Sequence, residues 1–95
     1  MSLAVIILTL NEERHIARAL NSVASLASEL FVVDSFSTDR TVELAREQGA
    51  TVVQNPFVNH AKQFQWALDN LPITADWIMR PDADEIVEAD LARRL

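Results

Sequence analysis

Three carboxylates fall within four positions, Asp82, Asp84 and Glu85, directly after the apolar Trp77-Ile78-Met79 and the pair Arg80-Pro81. Like charges at that spacing repel unless something positive lies between them. Asp82 and Asp84 flank a single alanine, so in an extended segment they face the same way. A hard divalent cation such as Mg2+ or Mn2+ takes such oxygens and completes its shell with water and substrate phosphates. The plainer alternative is an acidic turn with a helix starting at Glu85, and a D-x-D pair alone does not choose between them. Asp34, closing Phe31-Val32-Val33, is a second candidate: it suits a nucleobase or ribose edge, and equally the cap of a following helix. Thr9 and Asn11 close another apolar run, where Asn11 also fits a helix N-cap. Lys62, the one lysine of the chain, is placed to neutralise a diphosphate or simply to be solvated. His15 and His60 are not at metal-ligand spacing with the carboxylates and read as surface residues. Trp66 and Trp77 read as core.

The elements that would position these groups alternate along the chain. Residues 3–10, LAVIILTL, form an apolar, β-branched run, the mark of a strand buried on both faces. Asn11, Glu12 and Glu13 then open a helix whose first turn favours negative charge, with Ile16, Leu20, Val23 and Ala27 at helical spacing. Residues 29–33 form a second strand ending at Asp34. Ser37, Thr38 or Asp39 caps a second helix carrying Val42, Leu44 and Ala45, and Gly49, the one glycine, suits its left-handed C-cap. Residues 50–54 form a third strand. A third helix starts near Asn59, buries Ala61, Phe64, Leu68 and Leu71, and stops at Pro72. Residues 76–80 form a fourth strand, and Leu91 with Leu95 point to a last helix. This order predicts an α/β fold: a mostly parallel sheet, helices on both faces, the first strand between the second and fourth, and 51–54 at the edge. In such sheets ligands bind outside the carboxyl ends of the strands. Thr9 and Asn11, Asp34 and Ser35, and Asp82 and Asp84 would all lie along that edge.

Bulk composition narrows the function. The chain has 95 residues, 49% of them hydrophobic and 23% charged, which is the make-up of one small globular domain. A net charge of −6 and the absence of any basic run argue against a nucleic-acid partner. Without cysteine there is no disulfide, thiolate metal site or cysteine nucleophile. No apolar run reaches the ~18 residues of a membrane span, and residues 3–10 lack the flanks of a signal peptide. The expected location is the cytoplasm. A glycine-rich phosphate loop after the first strand and a nucleophile elbow around any serine are both missing.

With these residues in place, the chain resembles the N-terminal part of an inverting family 2 glycosyltransferase of the Rossmann-like GT-A fold. VIILTLNEERHIARAL (5–20), VVDSFSTDRTVELAREQGATVV (32–53) and DWIMRPDADEIV (76–87) carry the resemblance in order and spacing. The nearest flavour is the lipopolysaccharide-core and exopolysaccharide type. The resemblance implies that Thr9, Leu10, Asn11 and Glu12 line a nucleotide pocket. It further implies that Asp34 bonds the base, that Lys62 lies near the donor, and that Asp82 binds substrate. Asp82 and Asp84 would then hold Mg2+ or Mn2+. The implied partners are a nucleotide-diphosphate sugar such as a UDP-sugar and a saccharide or lipid-linked acceptor, with the full-length enzyme at the inner face of the membrane.

Two positions depart from the family pattern. Phe36 stands where many members have glycine, which predicts altered turn geometry, and Pro81 stands where an aliphatic residue precedes the D-x-D. Length departs further. Residues 1–95 read as the donor-binding part alone, with the general base expected beyond Leu95. Two other readings use the same residues: a nucleotide- and metal-binding fragment without catalysis, and a phosphohydrolase using Asp82 as nucleophile. In the second of these the nucleophile normally follows the first strand, whereas here it follows the fourth.

Overall fold

The computed structural model describes residues 2–81 and the backbone of 89–93. Strand β1 (Leu3–Thr9) lies at the centre. β2 (Glu29–Asp34) and β4 (Trp77–Pro81) pair with it in parallel on either side, and β3 (Thr51–Gln54) pairs in parallel with β2. Three helices connect them: α1 (Ile16–Val23), α2 (Thr41–Glu47) and α3 (His60–Asn70). Alternation along β1 divides the core between the two faces. Leu3, Val5 and Ile7 pack with Ile16, Leu20 and Val23 of α1 and Ala45 of α2. Ala4 and Ile6 pack on the other face with Phe31, Val33 and Ala67 of α3. The result is the expected three-layer α/β/α arrangement with both faces of the central strand covered.

The last predicted helix is a strand instead. β5 (Ala89–Arg93) pairs antiparallel with β4, Ala89 opposite Pro81 and Arg93 opposite Trp77. Among the described residues the sheet order is therefore β3-β2-β1-β4-β5. The spacing of Leu91 and Leu95 suggested a helix, but β4 would then keep a row of unpaired backbone groups along its outer side, and β5 satisfies them.

Two helix starts also differ from expectation. α1 begins at Ile16 with His15 as N-cap, and Asn11 does not cap it; Asn11 adopts a left-handed φ of 52° and uses its side chain elsewhere. In α3, Ala61 is exposed and the fully enclosed residues are Gln63 and Ala67, with Phe64 and Leu68 half-buried. Asn59 caps α3 as expected, its Oδ1 accepting from Lys62 N at 2.8 Å. Gly49, with φ 87°, ends α2 in a Schellman motif: its N–H donates to Arg46 O and that of Ala50 to Ala45 O. Trp66 and Trp77 sit half-buried against the two core clusters.

Candidate functional site

Asp34 closes β2 with no exposed surface at all. A carboxylate that deep must be fully hydrogen-bonded, and it is. Oδ1 accepts from the Thr9 hydroxyl at 2.7 Å and from the Ser37 hydroxyl at 2.5 Å, while Oδ2 accepts from Ser37 N at 2.8 Å. Its observed work is to tie the end of β1 to the turn after β2, and it does not cap α2.

That turn is latched to the loop after β1 by bonds in both directions. Asn11 N donates to Ser37 Oγ at 2.8 Å, and Thr38 N donates back to Asn11 Oδ1 at 2.9 Å. Glu12 N donates to the fully enclosed Thr41 Oγ1 at 2.8 Å. Glu13 N donates to Asp39 Oδ2, and Arg40 N returns to Glu13 Oε2. Asp39 Oδ1 accepts from Thr41 N at 2.9 Å, so Asp39 satisfies the first turn of α2 although Arg40 occupies the N-cap position. Burial raises the Asp39 carboxyl, but bonds from the Thr41 hydroxyl and from the Thr41 and Glu13 amides outweigh it and hold the group below its ordinary value. Phe36 lies within the turn with a left-handed φ of 59°. Phe36 thus occupies the backbone region that favours glycine.

The third loop, after β3, is fixed by Gln63. This side chain, 2% exposed, donates to Ser35 Oγ and to Asn55 O, both at 3.0 Å, and accepts from Asn55 Nδ2 at 2.7 Å. The start of α3 is thereby pinned to the exit of β2. Phe57 and His60 stand at this corner, their rings edge to face with centroids 5.2 Å apart.

Between the three loops lies a cleft of about 240 Å3 at the carboxyl ends of β1 and β2. It is lined by Leu8, Thr9, Leu10 and Glu12 from β1 and the loop after it, by Ser35 after β2, and by Phe57 and His60 after β3. Of the sequence-predicted binding residues, Thr9, Leu10 and Glu12 come together here. Asn11 and Asp34 support the walls through the bonds above. Lys62 lines a separate hollow of about 200 Å3 with Pro56, Val58 and Trp66. A broader hollow of about 610 Å3 runs along α2 beside the Arg40–Glu43 ion pair and includes no strand end.

Asp82 and Asp84 lie outside the described residues. Among the described residues no group of three His, Asp or Glu side chains is placed to hold a metal ion. The oxygen pair at 82 and 84 has the chemistry for a hard cation. β4, parallel to β1, brings the chain at Pro81 to the same edge of the sheet as Thr9. Sequence reasoning placed Ser35 at this edge but missed Phe57 and His60 as cleft residues. The available signal was their position, since each follows closely on a parallel strand.

The profile of Glycosyl transferase family 2 matches residues 4–95. The chain belongs to this family. Its relatives include an uncharacterized glycosyltransferase of Rickettsia felis, 42% identical over 89 residues, spanning 94% of this chain and 31% of that protein. Another is the low-salt glycan biosynthesis hexosyltransferase Agl6 of Haloferax volcanii, 35% identical over 87% of this chain and 21% of its own length. The chain thus spans about a third or less of the relatives it matches. Among solved structures it is similar to glucosyl-3-phosphoglycerate synthase of Mycobacterium tuberculosis. In complex with UDP that enzyme gives a TM-score of 0.76 at 29% identity, covering 90% of this chain and 34% of that one. In complex with Mn2+, UDP and glucosyl-3-phosphoglycerate the TM-score is 0.74 at 28% identity, covering 86% and 33%. The sheet and its flanking helices are those of a Rossmann-like GT-A glycosyltransferase. No helix of the described residues is long and apolar enough to cross a membrane.

Proposed function

We propose that residues 1–95 are the donor-binding part of a glycosyltransferase that moves a sugar from a nucleotide-diphosphate sugar to a saccharide or lipid-linked acceptor. The observation that carries this reading is the cleft at the carboxyl edge of β1 and β2, where Thr9, Leu10 and Glu12 converge. Open α/β sheets bind ligands at that edge, and the similar mycobacterial enzyme was solved with UDP and Mn2+. In this reading Leu10 and Glu12 meet the nucleoside, while Asn11 and Asp34 hold the loops that shape its pocket. Lys62, which lines a separate hollow with Pro56, Val58 and Trp66, would have to swing its long side chain towards the diphosphate to neutralise it. Asp82 and Asp84 hold Mg2+ or Mn2+, with Asp82 also meeting the donor. When bound, the cation stabilises the departing nucleoside diphosphate as a Lewis acid. We further propose inversion at the anomeric carbon, a general base supplied from beyond Leu95, and a role in cell-envelope polysaccharide synthesis at the cytoplasmic face of the membrane.

Calorimetry of UDP binding to the wild type, Asp82→Asn and Asp84→Asn, each with Mn2+ and with chelator, tests the proposal. The expected result is at least ~10-fold weaker Mn2+-dependent binding in each variant, the loss of about 1.4 kcal/mol from one coordinating charge. Identical titrations for all three proteins would remove the metal site. A wild type that binds no nucleoside diphosphate under any condition would remove the donor site altogether.

A further inference from the structure

We infer that Phe57 and His60, from the loop after β3 and the first residue of α3, form the wall that selects the nucleobase: Phe57 packs against the heterocycle, and His60 offers a ring nitrogen to its polar edge. This rests on the donor-site reading and adds to it two residues that neither the D-x-D pair nor the β1 loop supplies.

Four observations converge on that corner. The cleft of about 240 Å3 is below the size that encloses a whole drug-sized ligand, so it suits one planar ring and not an entire sugar nucleotide. Its lining includes Leu10 and Phe57, which are 49% and 43% exposed, and a ring seated in the cleft would cover apolar surface of both. Among the described residues the Glu12 carboxylate and the His60 imidazole make no hydrogen bond; the one ring contact of His60 is to Phe57. Both polar groups therefore remain available to a ligand. Finally, the wall is stiff: Asn59 caps α3, and the enclosed Gln63 ties its first turn to Ser35 and Asn55. A wall held in that way can discriminate, because a misfitting ring cannot push it aside without breaking the bonds of the enclosed Gln63.

The chemistry separates two contributions. An aromatic ring packs on any base, so Phe57 raises affinity for all of them. Imidazole can donate or accept, whereas Glu12, when ionised, only accepts. Bases differ in the order of donors and acceptors along their edge, so His60 and Glu12 together rank them.

The test measures the affinity of UDP, CDP, GDP and ADP, with inorganic pyrophosphate as the base-free comparison, for the wild type, Phe57→Leu, His60→Ala and His60→Gln. Thermal melts confirm folding, which is expected because both side chains are exposed. Phe57→Leu should weaken all four nucleotides by ~5- to 100-fold, the size of one base–aromatic contact, and leave pyrophosphate unchanged. His60→Ala should shrink the spread between the best and worst nucleotide by roughly 10-fold, and His60→Gln should restore part of it. An unchanged ranking in both His60 variants, or a Phe57→Leu loss shared equally by pyrophosphate, would overturn the inference and leave the donor site standing. Absence of nucleotide binding in the wild type would overturn both.

Discussion

At the scale of single residues, the two least expected side chains flank Ser35. Asp34 has the position of a base-binding carboxylate, yet its oxygens are spent on Thr9 and Ser37. Asp34→Ala should therefore destabilise the fold by about 3 kcal/mol, since it leaves buried donors unsatisfied; urea denaturation measures this. A variant altered only in nucleotide affinity, with unchanged stability, would return Asp34 to the ligand. Phe36 is 57% exposed and left-handed at once. A non-glycine residue in that region costs about 1–2 kcal/mol, against about 0.4–1 kcal/mol of extra chain entropy when glycine unfolds. Phe36→Gly should thus stabilise by about 0.5 kcal/mol in the same assay. The burial of Asp34 lay beyond the sequence reading. Polarity and position were visible in the chain, but partners brought together from residues 9 and 37 were not.

At the scale of elements, the strands and helices were legible because each carries a strong period or stop signal. Five apolar or β-branched positions in succession, Leu3 to Ile7, read as a doubly buried strand, and they are. Gly49 marks the end of α2 for a backbone reason alone: a Cβ there would meet nothing within 4 Å. Gly49→Ala should cost about 1 kcal/mol, set by φ and not by packing, measurable as a lower denaturation midpoint. The loops were less legible, because their capping residues bond across to another loop. Asp39 shows this, and its charge gives a pH test. Its folded-state value lies below the ordinary 3.8, so its stabilising contribution is complete above that value and is lost as pH falls through the lower one. The stability gap between wild type and Asp39→Asn should be widest at neutral pH and close below pH 3.8. Chemical denaturation across that range checks the sign.

At the scale of the whole molecule, the sheet order around β1 followed from hydrophobic run length, with the longest run innermost and Thr51–Gln54 at the edge. The antiparallel β5 did not, because five residues with one leucine carry little period and their pairing depends on what β4 leaves open. Truncation after Pro81 would strip β4 of that partner. The shortened chain should melt at lower temperature and associate through the exposed edge, which light scattering would detect; an unchanged melt with a monomeric profile would mean β5 contributes little. The site was legible to a similar degree. Strand ends pointed to Thr9 and Ser35 and the family resemblance to Leu10 and Glu12, whereas Phe57 and His60 needed the fold to bring them to the same cleft.

The reciprocal bonds between residues 11–13 and 37–41 carry a consequence for inheritance. Asn11 serves the Thr38 amide, Glu13 serves the Arg40 amide, and Asp39 serves the Glu13 amide, so a change on either side strands a donor on the other. The groups served are main-chain amides, which persist whatever residue carries them, so the constraint falls on the accepting side chains alone. Across diverging descendants, positions 11, 13 and 39 should therefore keep a hydrogen-bond acceptor, while the outward positions of α1 drift freely.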